Sequence, residues 1–216
     1  MNPLELNSLE KYKAIRDNIK PGDIVAFAGT SVMSKTIMAF TKCNISHLAI
    51  VFESKVLLEG TAQPGKVVDI FEASQTYTKP DGTELVGVHR SRLSNRVEYY
   101  PGQMWLLPIN NVERRKLDCA KMVDFLLTVE GRPYDVPQAI SALSGLNPKD
   151  YDKFFCFELV AAALQAGGLL SGCNPSKMIA RDVILSGIIA DRYYQICGDT
   201  EPISPINADL VNQCEC

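Results

Sequence analysis

Phe154-Phe155-Cys156-Phe157-Glu158-Leu159-Val160 opens an apolar run that ends at Gly167-Gly168. From Phe155 to Ala166 there is no Pro, Gly or turn cluster, and Ala161, Ala162, Ala163, Leu164 and Ala166 all favour helix. The glycine pair supplies a C-terminal stop. The stretch therefore reads as a buried helix with a cysteine in its first turn. At that place unpaired N–H groups and the helix dipole stabilise a thiolate, so Cys156 is a candidate nucleophile. The competing reading is a core thiol, because free cysteine is among the most buried residue types and three phenylalanines flank this one.

Upstream the pattern is different. Leu6, Leu9, Tyr12 and Ile15 give a short amphipathic helix within residues 5–19, and Pro21-Gly22-Asp23 turns into the strand 24–28. Gly29-Thr30-Ser31 caps a second helix, Val32 to Thr41, and a strand follows at His47–Phe52. Further strands are expected at Val56–Glu59, Val67–Glu72, Leu85–His89 and Gln103–Ile109, separated by Pro- and Gly-rich turns. After Asn110 the chain turns helical: a long amphipathic helix from Val112 to Val129, another from Tyr134 to Leu143, the Cys156 helix, and helical structure around 176–189. The polar, Pro-rich tail after Asp199 is expected to wrap the surface or fray. Strands followed by helices predict an α+β fold with a mostly antiparallel sheet, and no linker divides residues 1–216 into two domains.

The chain has 216 residues, 46% hydrophobic and 22% charged, which suits a globular domain with a sizeable core. A net charge of -3 and the absence of a basic run argue against nucleic acid. Met1 to Lys20 lacks a signal-peptide core, and the apolar run Val183–Ala190 is too short to span a membrane, so the expected location is the cytoplasm. The cysteines number seven and form no CxxC pair; Cys214-Glu-Cys216 is a weak metal signal without nearby histidine. No metal or organic cofactor is expected.

A cysteine nucleophile needs a base and a group that orients the base. The sequence has two histidines, His47 at the start of a strand and His89 at the end of another. Each could equally be a strand-end residue satisfied locally or by solvent. Glu72, in Ile70-Phe71-Glu72-Ala73, and Glu59, in Leu57-Leu58-Glu59-Gly60, are both candidate orienters, and spacing alone does not choose between them.

Six segments in order carry a resemblance: Pro21-Gly22-Asp23-Ile24-Val25, Ser46-His47-Leu48-Ala49-Ile50-Val51, Phe71-Glu72-Ala73, Gly87-Val88, Gly131-Arg132-Pro133-Tyr134-Asp135 and Phe155-Cys156-Phe157-Glu158-Leu159-Val160. Over residues 20–165 the chain resembles the circularly permuted papain-like amidases. These are the YiiX/YaeF-type relatives of the NlpC cell-wall peptidases, whose superfamily also takes in lecithin:retinol acyltransferase-like proteins. The resemblance implies a permuted papain-like fold, with an antiparallel sheet packed against helices including the Cys-bearing one. It implies Cys156 as nucleophile, His47 as general base and Glu72 rather than Glu59 as orienter. Glu158 belongs to the motif but points away from Cys156 along the helix and reads as structural. His89 matches no catalytic position. The chain departs from many relatives in carrying Phe157, where a small serine follows the cysteine, and in lacking an export signal.

The implied activity is that of a cysteine amidase or peptidase, acting through a thioacyl enzyme on a small peptide-like or cell-wall-derived amide. The alternatives are a lipid-directed acyl hydrolase or acyltransferase, and a non-catalytic binding domain of the same fold.

Overall fold

A computed structural model describes residues 7–57, 65–134, 155–199, 201–204 and 211–212. The expected helix from Tyr134 to Leu143 lies outside these residues except at Tyr134, and so does Glu59.

The chain opens with α1 (Ser8–Ile15), closed at its N-terminus by a capping box in which Asn7 and Glu10 bond each other's backbone. A single 3₁₀ turn, Arg16–Asn18, follows it. Then come β1 (Ile24–Ala28), α2 (Val32–Thr41), β2 (His47–Leu57), β3 (Gly65–Thr78), β4 (Glu84–Arg92) and α3 (Leu93–Tyr99). The second half holds β5 (Gln103–Leu107), α4 (Asn111–Lys116), α5 (Cys119–Val129), α6 (Cys156–Ala166), α7 (Ala180–Ile184), β6 (Arg192–Cys197) and β7 (Val211–Asn212). The architecture is α+β. The sheet has seven strands in the order β4-β3-β2-β1-β5-β6-β7. Neighbours from β4 to β6 are antiparallel, and β7 adds to β6 in parallel.

Strand alternation sorts the side chains into two cores. Ile24, Ala26, Leu48, Ile50, Phe71 and Val88 face α5, α6 and α7, whereas Val25, Phe27, Ala49, Val51 and Ile70 face α1 and α3. In α6 every residue from Cys156 to Leu164 is buried, as expected of a helix that is apolar all round. Phe157 and Leu159 are fully enclosed, and each such side chain contributes roughly 1.5–3 kcal/mol. The helix ends at Gly167, whose N–H closes on Ala163.

The Pro21-Gly22-Asp23 turn ties three elements together. Gly22, at φ +88°, donates its N–H to Val51, and the buried Asp23 carboxylate accepts from the N–H groups of Lys20 and Ile109 and pairs with Arg114. A side chain at position 22 would meet Leu117 as well as an unfavourable φ.

Several expectations are revised. The helix expected over 112–129 is broken at Leu117, which is extended, because Asp118 accepts from the N–H of Lys121 and starts α5 as a new helix. The helical stretch around 176–189 is a 3₁₀ turn and the short α7, after which Ile189 pairs with Ile109. Neither α3 nor β6 was signalled by clear periodicity. The described part of the tail packs: Ile203 is buried, and Trp105 Nε1 donates to the Glu201 carbonyl. Among the described residues no helix is long and apolar enough to cross a membrane.

Candidate active site

The strand register brings the polar candidates together. Phe27 pairs with His47, Ala49 with Glu72, and Glu72 with His89, so the side chains of His47, Glu72 and His89 emerge on one face of the sheet. It is the face covered by α1 and α3. Glu72 is wholly buried there, and three donors converge on it: His47 Nε2 at 2.9 Å, Arg96 Nη2 from α3 at 3.0 Å and Ser91 Oγ at 2.5 Å. Burial would raise the Glu72 carboxyl, but the Arg96 charge and the bond from His47 outweigh it and hold the group well below the usual carboxylate range.

Arg96 is itself fixed. Its guanidinium lies 4.5 Å from the Tyr77 ring centroid, 5.1 Å from that of Phe27 and 5.3 Å from that of Tyr100. The His47 ring packs against Phe27 at 5.1 Å. Because Nε2 is engaged by the Glu72 carboxylate, it carries the hydrogen, and Nδ1 is the nitrogen able to take a proton. Burial lowers the His47 pKa, against the bond and charge of Glu72, so the ring is neutral at pH 7. The strand start is held by Ser46, whose N–H donates to the Phe27 carbonyl and whose Oγ accepts from the N–H of Gly29.

His89, for which the sequence left open a solvated strand-end position, is buried. Its Nδ1 donates to the Gly87 carbonyl at 3.0 Å, and its ring lies parallel to Tyr77 at 5.7 Å. Nε2 stands 3.6 Å from Glu72 Oε1, too far for a hydrogen bond. Ser91 and Arg96 had no signal in the sequence taken residue by residue. The β3–β4 hairpin register would have found Ser91, two residues beyond the position paired with Glu72.

Cys156 comes from the other side of the sheet, as the first residue of α6. Its sulfur reaches the sheet where the backbone N–H of Leu48, the residue after His47, is directed at it. The N–H groups of Cys156 and Phe157 converge on it too, and Phe155 at the N-cap provides no side-chain cap to compete. Burial nevertheless dominates and pushes the thiol up to about 12. With the residue only 1% exposed, desolvation outweighs the stabilisation that the helix N-terminus offers a thiolate. Among the described contacts no hydrogen bond joins Sγ to the imidazole. Glu158 is buried as well, so it is not a solvated charge at the helix start.

A cleft of about 270 Å³ adjoins His47, walled by Ser46, Ser74, Gln75, Arg96, Tyr100 and Tyr134 together with Ser31 and the α2 residues Met33, Ser34 and Ile37. Tyr134 arrives there because Gly131-Arg132 bonds along β4, with Val88 N–H donating to the Arg132 carbonyl and Gly131 N–H to the Val88 carbonyl. A larger hollow of about 600 Å³, between α2 and residues 198–204, touches none of the candidate residues. Among the described residues no cluster of His, Cys, Asp and Glu has the arrangement to hold a metal. Around Glu72 the Arg96 charge would also oppose a cation.

A scan against models of known protein families finds no match to this chain, and a search of curated proteins finds none either.

Proposed function

We propose that the protein is a cysteine hydrolase in which Cys156 is the nucleophile, His47 the general base and Glu72 the residue that orients His47, on a permuted papain-like fold. The observation that carries this reading is the 2.9 Å bond from His47 Nε2 to the buried Glu72 carboxylate. It fixes the tautomer that leaves Nδ1 free, on the residue whose neighbour, Leu48, directs its N–H at the Cys156 sulfur.

In the free protein the pair rests as neutral thiol and neutral imidazole. On substrate entry Sγ attacks the acyl carbonyl carbon while His47 Nδ1 takes the thiol proton. The carbonyl oxygen becomes an oxyanion beside the backbone N–H groups of the first turn of α6. Collapse of the adduct expels the amine or alkoxide, which takes the proton from the imidazolium, and leaves a thioester on Cys156. Water then gives a proton to Nδ1 as it attacks the thioester, and the acid and the free thiol are released. Glu72 stays ionised throughout and stabilises the imidazolium. The residues around the cleft are mostly neutral and polar, which suits a peptide-like or small acyl group.

The test is turnover of soluble p-nitrophenyl esters and anilides by the wild-type protein, Cys156→Ser and His47→Ala. Each variant is expected to lose about a thousandfold or more in rate. Wild-type activity that survives Cys156→Ser would remove the nucleophile from this account.

A further inference from the structure

Helix α2 presents to solvent what a helix ordinarily buries. Val32 is 83% exposed, Phe40 49% and Met33 45%, and only Ile37 and Thr41 of its ten residues are buried. At 100° per residue, Val32, Thr36 and Ala39 form the centre of the outer face, with Met33 and Phe40 together along one edge. Lys35 and Lys42 run along the other edge, both exposed. The one polar group near the centre is already satisfied, since Thr36 Oγ1 donates to the Val32 carbonyl at 2.9 Å and leaves its methyl outward. Although the whole chain carries a net charge of -3, no Asp or Glu occurs from Ile24 to Phe52. An apolar outer face bordered by lysines along one edge, on a helix free of acids, is the pattern of a helix lying in a bilayer interface, with the lysine stems reaching up to the headgroups. Asp199 and Glu201 border the hollow on the lysine edge, which moderates the positive field there without interrupting the apolar face.

We infer that α2 docks the protein onto an anionic lipid surface. Met33 of the same helix borders the cleft at His47, so docking holds the cleft mouth at the surface. The purpose of that placement, presenting a lipid-borne acyl carbonyl to Cys156, rests on the function proposed above. The docking itself does not.

The experiment is co-sedimentation of the full chain, carrying Cys156→Ala to prevent turnover, with vesicles of phosphatidylcholine alone or with phosphatidylserine. Binding is expected to favour the anionic vesicles and to weaken as salt rises. Val32→Ser with Phe40→Ser should weaken it at least about tenfold. Lys35→Ser with Lys42→Ser should remove up to about thirtyfold, and on anionic vesicles only. A Phe40→Trp variant gives a second reading that does not depend on loss, because its emission should move to the blue when anionic vesicles are added. The docking is overturned if the folded protein ignores anionic vesicles, or if Val32→Ser with Phe40→Ser binds as before. It is equally overturned if the protein is a dimer that Phe40→Ser dissociates and that ignores vesicles, in which case a second copy covers the face. In the Cys156-containing protein, Val32→Ser with Phe40→Ser should leave soluble-ester hydrolysis unchanged, so a failed docking and a failed triad give different results.

Discussion

Replacing Glu72 by glutamine separates the charge of this buried group from its hydrogen bonds. If the amide oxygen takes the Oε2 place, it still accepts from His47 Nε2 and Arg96 Nη2. The NH₂ then faces Ser91 Oγ, which can turn to accept. What is lost is the counter-ion of Arg96, whose side chain is 12% exposed and stays held among three aromatic rings. Removing one partner of a buried ion pair costs about 3–5 kcal/mol, and the retained bonds place Glu72→Gln near about 3 kcal/mol. Glu72→Ala instead leaves three donors without an acceptor and should cost roughly 5 kcal/mol or more, comparable with the whole stability of an ordinary domain. The assay is urea unfolding at pH 7 followed by circular dichroism. With a slope of roughly 2 kcal/mol per molar urea, Glu72→Gln should lower the midpoint by about 1.5 M. A midpoint within about 0.2 M of wild type would refute the reasoning, because it would mean that Arg96 does not depend on the carboxylate charge.

The buried titrating groups define a pH window for stability. His47 is held below its usual value, so the unfolded chain binds more protons and stability falls as the pH drops below about 6.5. Glu72, held well below 4.5, adds a further loss as the pH falls below about 4.5 toward its folded value. Cys156, raised to about 12 from 9.0, keeps a proton that the unfolded chain gives up, so stability also falls as the pH rises above about 9. Urea midpoints measured from pH 4 to 10 should therefore be highest between about 6.5 and 9, and a midpoint still rising above 9 would contradict the burial of the thiol. Iodoacetamide at pH 7.5 should label the exposed Cys119 and Cys173 first and leave Cys156 nearly untouched, as peptide mass spectrometry would record. Gly87→Ala should destabilise by at least about 2 kcal/mol in the same unfolding assay, because φ is +82° and the new Cβ would stand 2.2 Å from the Arg132 carbonyl oxygen.

Elements built on local rules were legible in the sequence. Val32 to Thr41, with Ser31 ahead of it, is a helix as expected, and the Cys156 helix begins and ends within a residue of its expected limits. The first five strands were recognisable because each alternates or runs apolar between turns, but β2 was read as two strands, His47–Phe52 and Val56–Glu59, where it runs unbroken from His47 to Leu57. Residues 93–99 and 192–197 were not, since both take their structure from what they pack on rather than from a pattern of their own. The site was legible as residue types: a cysteine at a helix start, a histidine opening a strand and a glutamate in an apolar run. Its assembly was not, because the Arg96 and Ser91 contacts to Glu72 depend on the β3–β4 register and on α3. The burial of Cys156 was legible in the three phenylalanines that flank it, but its protonation state was not. Helix position argued for a thiolate, and only the packed environment decides that desolvation outweighs it.

The central claim is that His47 activates Cys156, and the most direct measurement is the location of a trapped acyl group. Wild-type protein, Cys156→Ser and His47→Ala would be incubated with p-nitrophenyl acetate, quenched in acid and digested for peptide mass spectrometry. The account predicts an acetyl thioester on the Cys156 peptide of the wild-type protein and its absence in both variants. An acetyl group confined to Cys119 or Cys173, or one on Cys156 that persists undiminished in His47→Ala, would contradict it.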